Sequence, residues 1–270
     1  MISILVAIDG TGSGLDEKGN SGWRKGDGSN SSVYKFYQDF KTPNEYKKYF
    51  DGPSEKFTGQ DSIDVYVNAF GFLTDAFFAA QRQLRIQLSN LKEWNVQKAE
   101  VLKNIQICLI GHSRGGLIAI EIAKKFPLKR TYFMGLYDAV DRQPFFDGSV
   151  ISNVDIVYHA MRNPDTFSRS LFSNTGTNIS ADVKKHQTKT FFTSHGGIGG
   201  DSDFYFSELT DMSFIQYGAT RMTDTVIVKT SAIFNGPKES VFKAESIRAD
   251  SWIRDGAQNA GLPVGNYCSI

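Results

Sequence analysis

The chain has 270 residues, of which 40% are hydrophobic and 22% are charged. This composition predicts a folded core and excludes wholesale disorder. Thirty Lys and Arg residues against 29 Asp and Glu leave a formal net charge of +1, which argues against a nucleic-acid-binding protein. The two cysteines, Cys108 and Cys268, are too few for a disulfide scaffold or a zinc cluster. No metal or cofactor is therefore predicted.

The N-terminal segment is a short apolar run with neither a basic start nor a small-residue cleavage site. It predicts a strand over residues 2 to 8 rather than a signal peptide. Nowhere do 18 apolar residues follow one another, so no membrane-spanning helix is predicted. The expected location is the cytoplasm, and export by a machinery that needs no cleavable signal stays open.

Loops and helices are predicted in the next hundred residues. Residues 10 to 32 are rich in Gly, Ser, Asn and Asp, which predicts a long loop. Apolar spacing predicts a helix over residues 33 to 40, which Pro43 ends, and a second loop over residues 49 to 60. Residues 62 to 94 have the pattern of one long apolar helix or two, typical of packing against a sheet.

Strands and helices alternate along the rest of the chain. Residues 105 to 110 are a continuous apolar run typical of a buried parallel strand, and residues 117 to 126 have helical spacing. Further strands are predicted over residues 131–136, 154–159, 188–193 and 226–233, and a closing helix over residues 246–260. The segment 154–159 also fits the start of a helix. This alternation predicts one α/β domain over residues 1 to 270, with a mostly parallel sheet and helices on both faces.

The motif that carries chemistry is Gly111-His112-Ser113-Arg114-Gly115, which matches the G-x-S-x-G nucleophile elbow. It follows a predicted buried strand and precedes a predicted helix, as an elbow of the α/β-hydrolase fold requires. Flanking glycines leave room for the sharp turn that exposes the Ser113 hydroxyl. The alternative is a Gly-rich turn without chemistry. A phosphate-binding loop is excluded, because no Gly-Lys-Ser/Thr follows.

A serine nucleophile needs a base, and in this fold the chain order is serine, acid, histidine. His112 adjoins the nucleophile and is expected to point elsewhere, while His186 lies among lysines, as on a solvated face. His195 follows a predicted strand and begins a Gly-rich segment, which favours it as the base. His159 stays the alternative.

The acid is expected at a strand end between Ser113 and the base. Asp138 closes the predicted strand 131–136 and is favoured, with Asp141 as the alternative. The oxyanion is expected to bind the backbone N–H of Arg114 and an N–H from the loop after the first strand, at Gly10 or Thr11.

Several ordered segments resemble one family throughout the chain. They are Asp9-Gly10-Thr11, residues 29–33, 111–116, 135–140 and 191–200, Tyr158-His159-Ala160 with Arg169 and Phe172, and Trp252, Ala257 and Gly261-Leu262 near the C-terminus. On these residues the chain resembles the DUF2235 family, the Tle1-like catalytic domain of type VI secretion phospholipase effectors, an α/β-hydrolase relative.

The resemblance implies Ser113 as nucleophile, Asp138 as acid and His195 as base. It also implies phospholipid or other acyl-lipid substrates, peripheral membrane contact, and an immunity or secretion-apparatus partner if the protein is an effector. The chain departs from the family at Gly196-Gly197, where the family has Ser-Asp, so that any role of this carboxylate would move to Asp201 or Asp203.

Together these patterns predict a serine hydrolase of carboxylic esters that works through an acyl-enzyme and resembles lipases and phospholipases. The alternatives are a small-molecule carboxylesterase and a binding module on the same fold without turnover.

Overall fold

Six parallel strands form the central sheet in a computed structural model of the chain. The structure describes residues 1–16, 18, 21–23, 31–54, 60–89, 94–141, 146–166, 174–200 and 239–265. The sheet strands are β1 (Ile2–Ile8), β2 (Lys47–Phe50), β3 (Ile105–His112), β4 (Thr131–Tyr137), β5 (Val154–Arg162) and β6 (Lys185–Phe191). Their spatial order is β6-β5-β4-β3-β1-β2, and all five pairings are parallel.

Helices cover both faces of this sheet. They are α1 (Ser32–Asp39), α2 (Gln60–Gln87), α3 (Trp94–Lys103), α4 (Arg114–Lys125), α5 (His195–Ile198) and α6 (Glu239–Asn259). Single 3-10 turns lie at Asn44–Tyr46 and Pro164–Thr166. Two short strand pairs lie outside the sheet, Ser13–Leu15 antiparallel to Ser21–Trp23 and Val150–Ile151 parallel to Asn178–Ile179.

The core has two apolar layers because successive side chains of a strand point to opposite faces. In β1, Ile4, Val6 and Ile8 pack against α2, α3 and α4 on one face. Leu5 and Ala7 pack against α1 and α6 on the other. The α/β fold class is thus confirmed, with a parallel central sheet and helices on both faces, consistent with an α/β-hydrolase-like fold.

The structure differs from the sequence prediction in several elements. Strand β2 includes Tyr49 and Phe50, which were expected in a loop, because β2 is a short edge strand with two lysines and no alternating pattern. Helix α3 begins at Trp94, where the predicted helical segment ended. Residues 154–162 are a strand rather than a helix start. The predicted strand 226–233 lies outside the described residues.

Helix α2 is long and apolar enough, by length and composition, to cross a membrane. One of its faces packs against the sheet through Ala69, Leu73, Ala76, Phe77 and Ala80. A core helix of a folded domain has the same length and composition, so this property does not decide the location of the protein. The cytoplasmic location stays a prediction.

Helix α4 begins in direct contact with the end of strand β1. A Cβ atom at Gly115 would lie 2.3 Å from the Asp9 carbonyl oxygen and 2.4 Å from that of Ile8. These two atoms belong to the backbone and cannot rotate away, so only glycine allows this approach. In contrast, Gly71 lies on the exposed side of α2, where an added Cβ would meet no atom within 4 Å.

We expect opposite effects of alanine at these two glycines. Gly115→Ala should lower the free energy of unfolding by about 1–3 kcal/mol, because the helix must shift away from β1. Gly71→Ala should raise it by about 1 kcal/mol, because glycine is a poor residue in a helix interior. Urea denaturation followed by circular dichroism measures both. Equal effects of the two substitutions would contradict the contact between α4 and β1.

Candidate active site

Ser113 lies in the turn between strand β3 and helix α4, and its backbone conformation is unusual. Its φ of 55° and ψ of −127° place it in a region that non-glycine residues seldom occupy, at a cost of about 1–3 kcal/mol. The hydrogen bonds that hold this turn include one from the Ser113 N–H to the Tyr137 carbonyl (3.1 Å) and one from the Gly116 N–H to the Ser113 carbonyl (3.0 Å). The turn has the strand–turn–helix context that an elbow needs.

The three residues predicted as nucleophile, acid and base meet at one point. His195 Nε2 lies 2.9 Å from Ser113 Oγ, and His195 Nδ1 lies 2.6 Å from Asp138 Oδ2. All three residues are buried, with at most 3% of their surface exposed. Because Asp138 accepts the hydrogen from Nδ1, Nε2 is left to accept the hydroxyl hydrogen of Ser113.

His195 begins the short helix α5, where the sequence predicted a Gly-rich loop. Ser194 caps this helix, since its hydroxyl accepts the Gly197 N–H at 2.9 Å. The capping serine is a helix-start signal that the sequence analysis missed. The cap fixes the helical turn that carries His195, and thereby the position from which its ring extends.

Asp138 is the most heavily hydrogen-bonded group of the site. Besides His195, its carboxylate accepts the Arg162 backbone N–H (3.1 Å), the Arg162 guanidinium, and Asn174 Nδ2 (2.5 Å). Burial alone would raise the pKa of Asp138, but the hydrogen bond with His195 and the positive charge of Arg162 outweigh burial. They hold the pKa of this carboxyl well below its usual range, so Asp138 is ionised.

Sequence reasoning missed Arg162 and Asn174. Arg162 ends β5 at the same sheet edge as Asp138, a position that was obscured because residues 154–159 also fitted a helix start. Asn174 and Asp138 are 36 residues apart in the chain, and no local sequence pattern predicts their contact.

The alternative residues take other places. Asp138, rather than the alternative Asp141, supplies the carboxylate that contacts His195. His159 lies on β5, fully buried, and its Nε2 accepts the N–H of Ala139 at 3.2 Å. Burial lowers the pKa of His159 to about 4. This imidazole therefore supports the backbone next to the acid and stays neutral at pH 7.

His112 contacts the predicted base through its ring. The two imidazole centroids lie 4.8 Å apart at an interplanar angle of 34°. His112 Nε2 donates to the His195 carbonyl oxygen at 3.2 Å, and its Nδ1 lies 4.0 Å from Asp9 Oδ1. His112 thus helps to hold His195.

The loop after strand β1 is anchored by Asp9. The buried Asp9 carboxylate accepts the Gly10 N–H (2.7 Å) and the hydroxyls of Ser31 and Tyr49 (both 2.6 Å). Burial raises the pKa of Asp9, and these hydrogen bonds offset only part of that effect. Since the Gly10 N–H is bound to Asp9, Gly10 is a poor oxyanion donor and Thr11 is left as the candidate of this loop.

Two further points concern possible metal ligands and the residues that the structure does not describe. Among the described residues, no three His, Cys, Asp or Glu side chains are grouped as metal ligands would be. Several positions of the sequence analysis lie outside the described ranges: residues 29 and 30 of the segment 29–33, and Arg169, Phe172, Asp201, Asp203 and Cys268.

Comparisons with known proteins leave the family open. No protein-family model matches the chain, and no curated protein matches it. An uncharacterized protein from Pseudomonas aeruginosa, known from a crystal structure, is similar at a TM-score of 0.46 and 12% sequence identity. The match covers 98% of this chain but 47% of that one, so this chain spans about half the length of its structural neighbour. The DUF2235 resemblance therefore stays a prediction.

The buried His159 should make stability depend on pH. The unfolded chain binds a proton at His159 near pH 6.5, whereas the folded chain does so only near pH 4. The contribution of the neutral His159 ring to the free energy of unfolding is therefore complete above pH 6.5. It is lost as the pH falls to about 4, and the total loss is on the order of 3 kcal/mol. We expect His159→Gln to remove this part of the pH dependence, measured by urea denaturation between pH 7 and 4. Parallel curves for the two proteins would contradict it.

Proposed function

We propose that the chain is a serine hydrolase that cleaves carboxylic esters through an acyl-enzyme. The observation that carries the proposal is the continuous hydrogen-bonded chain from Ser113 through His195 to the ionised Asp138. Nucleophilic catalysis by serine requires a serine hydroxyl bonded to a histidine, which is in turn bonded to a carboxylate. Here the serine also lies at a strained turn between a strand and a helix.

Acylation begins when Ser113 Oγ attacks the carbonyl carbon of the ester. His195 Nε2 takes the hydroxyl proton, and the carbonyl π electrons move to the oxygen, which becomes the oxyanion. When the C–O bond of the ester breaks, His195 returns the proton to the departing alcohol. Water then repeats these steps on the acyl-enzyme, releasing the carboxylic acid and restoring Ser113.

Asp138 orients the base and stabilises its positive charge. The 2.6 Å contact fixes the hydrogen of His195 on Nδ1, and the carboxylate favours the imidazolium formed during the reaction. Arg162 and Asn174 satisfy the other lone pairs of this carboxylate, so the buried charge is fully hydrogen bonded. The backbone N–H groups of Arg114 and Thr11 are the proposed oxyanion donors.

The substrate class rests on the family resemblance. It favours acyl lipids, phospholipids in particular, with membrane contact at the periphery and an immunity or secretion partner if the protein is an effector. A small-molecule carboxylesterase would use the same residues. Turnover of short nitrophenyl esters without cleavage of labelled phospholipids would favour that alternative, and no turnover of either would favour a binding module.

Ser113 should be the only residue that a fluorophosphonate labels. Ser113→Ala should abolish both labelling and ester turnover and leave the melting temperature nearly unchanged, because one hydroxyl is removed from a site that stays packed. Labelling is read by intact-protein mass spectrometry. Ser3→Ala is the matched control, since it removes another buried hydroxyl, which donates to Gln106 near the start of β1 and away from His195. Labelling that persists in Ser113→Ala would refute the assignment.

The acid should be Asp138. Asp138→Asn should lower kcat about 10⁴-fold, because an amide does not hold the hydrogen of His195 on Nδ1. The same substitution leaves the Arg162 guanidinium without its anion, so a stability loss of about 3–5 kcal/mol is also expected. Rates are therefore compared well below the melting temperature. Asp141→Asn is the control, and a larger rate loss there than in Asp138→Asn would make Asp141 the acid.

A further inference from the structure

The side chain of Arg114 connects the nucleophile turn to two loops. Arg114 follows Ser113 directly and is fully buried. Its Nε donates to the Thr11 hydroxyl oxygen at 2.6 Å, and its Nη2 donates to the Ser54 carbonyl oxygen. One guanidinium thereby joins the residue after the nucleophile to the loop after β1 and to the loop after β2.

These two loops are also bound to each other. The Gly12 N–H donates to the Pro53 carbonyl and the Gly52 N–H to the Ser13 carbonyl, both at 2.8 Å. On the other side of Thr11, the Gly10 N–H is bound to the Asp9 carboxylate. Thr11 is therefore held between two fixed amides, and its side chain is held by Arg114.

The backbone N–H groups near the nucleophile turn differ in their hydrogen-bond partners. Gly10 and Gly12 both direct their N–H groups to protein acceptors. Within the part of the chain that the structure describes, the Thr11 N–H makes no hydrogen bond. The Arg114 N–H belongs to the first turn of α4, at the helix end where the partial positive charge of the backbone amides is concentrated. A pair of amides next to the nucleophile turn is what a developing oxyanion needs.

We propose that the Arg114 side chain is a positioning residue, which fixes the Thr11 amide relative to the Arg114 amide. Arg114 thus sets the width of the oxyanion site through its hydrogen bond with the Thr11 hydroxyl. This inference rests on the proposed function, because the oxyanion forms only when an ester carbonyl is attacked. It adds that the Thr11 hydroxyl, which takes no part in the bonds that form or break, affects the rate of the reaction.

The test is removal of that hydroxyl. Thr11→Val keeps the shape of the side chain and the backbone N–H but cannot accept from Arg114. We expect kcat for a nitrophenyl ester to fall about 10–100-fold, with KM within twofold, because a displaced amide stabilises the transition state less than a fixed one. The rate of fluorophosphonate labelling should fall similarly. Thr11→Ser, which keeps the hydroxyl, should recover most of kcat.

A matched control is Thr42→Val, far from the strand ends that carry Ser113. The Thr42 hydroxyl donates to the Ser3 carbonyl at 2.9 Å, near the start of β1. This variant loses one side-chain hydrogen bond, as Thr11→Val does. Its kcat therefore measures the effect of lower stability on the rate, without a change near Ser113. Its kcat should stay within twofold of that of the wild type.

The outcomes separate this inference from the proposed function. If the wild type is active and Thr11→Val keeps its kcat, or if Thr11→Ser is as slow as Thr11→Val, the positioning role of Arg114 is wrong and the hydrolase proposal stands. If the wild type neither turns over esters nor reacts with fluorophosphonate, the proposed function is wrong and this inference with it.

Discussion

The parallel direction of all six strands is the constraint on which the rest of the site depends. Parallel pairing brings the carboxyl ends of neighbouring strands to one edge, in an order unrelated to distance along the chain. Ser113 follows β3, Asp138 follows β4, Arg162 ends β5, and His195 lies shortly after β6. Residues 82 and 57 positions apart therefore come within hydrogen-bond distance. An antiparallel strand among these four would place its residue at the opposite edge.

Two buried carboxyl groups at this edge have pKa values shifted in opposite directions because their partners differ. Burial raises the pKa of Asp9, whose partners are neutral, namely two hydroxyls and one amide. Asp138 is equally buried, yet its pKa falls because it faces the guanidinium of Arg162 and the ring of His195. The fold thus keeps Asp138 ionised next to His195. Asp9, which anchors the loop that carries Thr11, is easier to protonate.

Much of this arrangement could be predicted from the sequence, because the central strands carry strong local signals. β1 and β3 are continuous apolar runs, and the elbow residues stand between a strand and a helix. The prediction was wrong where the signal is weak. Residues 47–50 form the outer strand β2, for which Lys47 and Lys48 hide the strand pattern.

The supporting contacts could not be predicted at all. Arg162 and Asn174 bind Asp138 only because β5 and the segment after it return to the same edge. The contact between the tilted rings of His112 and His195 likewise depends on the tertiary position of α5, although both histidines were considered for the role of base. Such contacts have no periodicity and no fixed spacing, so the sequence shows the residues but not their pairing.

The outermost described strands have a consequence for the protein in solution. β2 and β6 border the sheet, and an unpaired strand edge is a template on which another chain can add a strand. Lys48 on β2, and Lys185 and Lys189 on β6, are exposed along these two borders. An incoming strand would have to bury these ammonium groups or displace them. Within the described part of the sheet, these charges therefore oppose the addition of a further strand at either border.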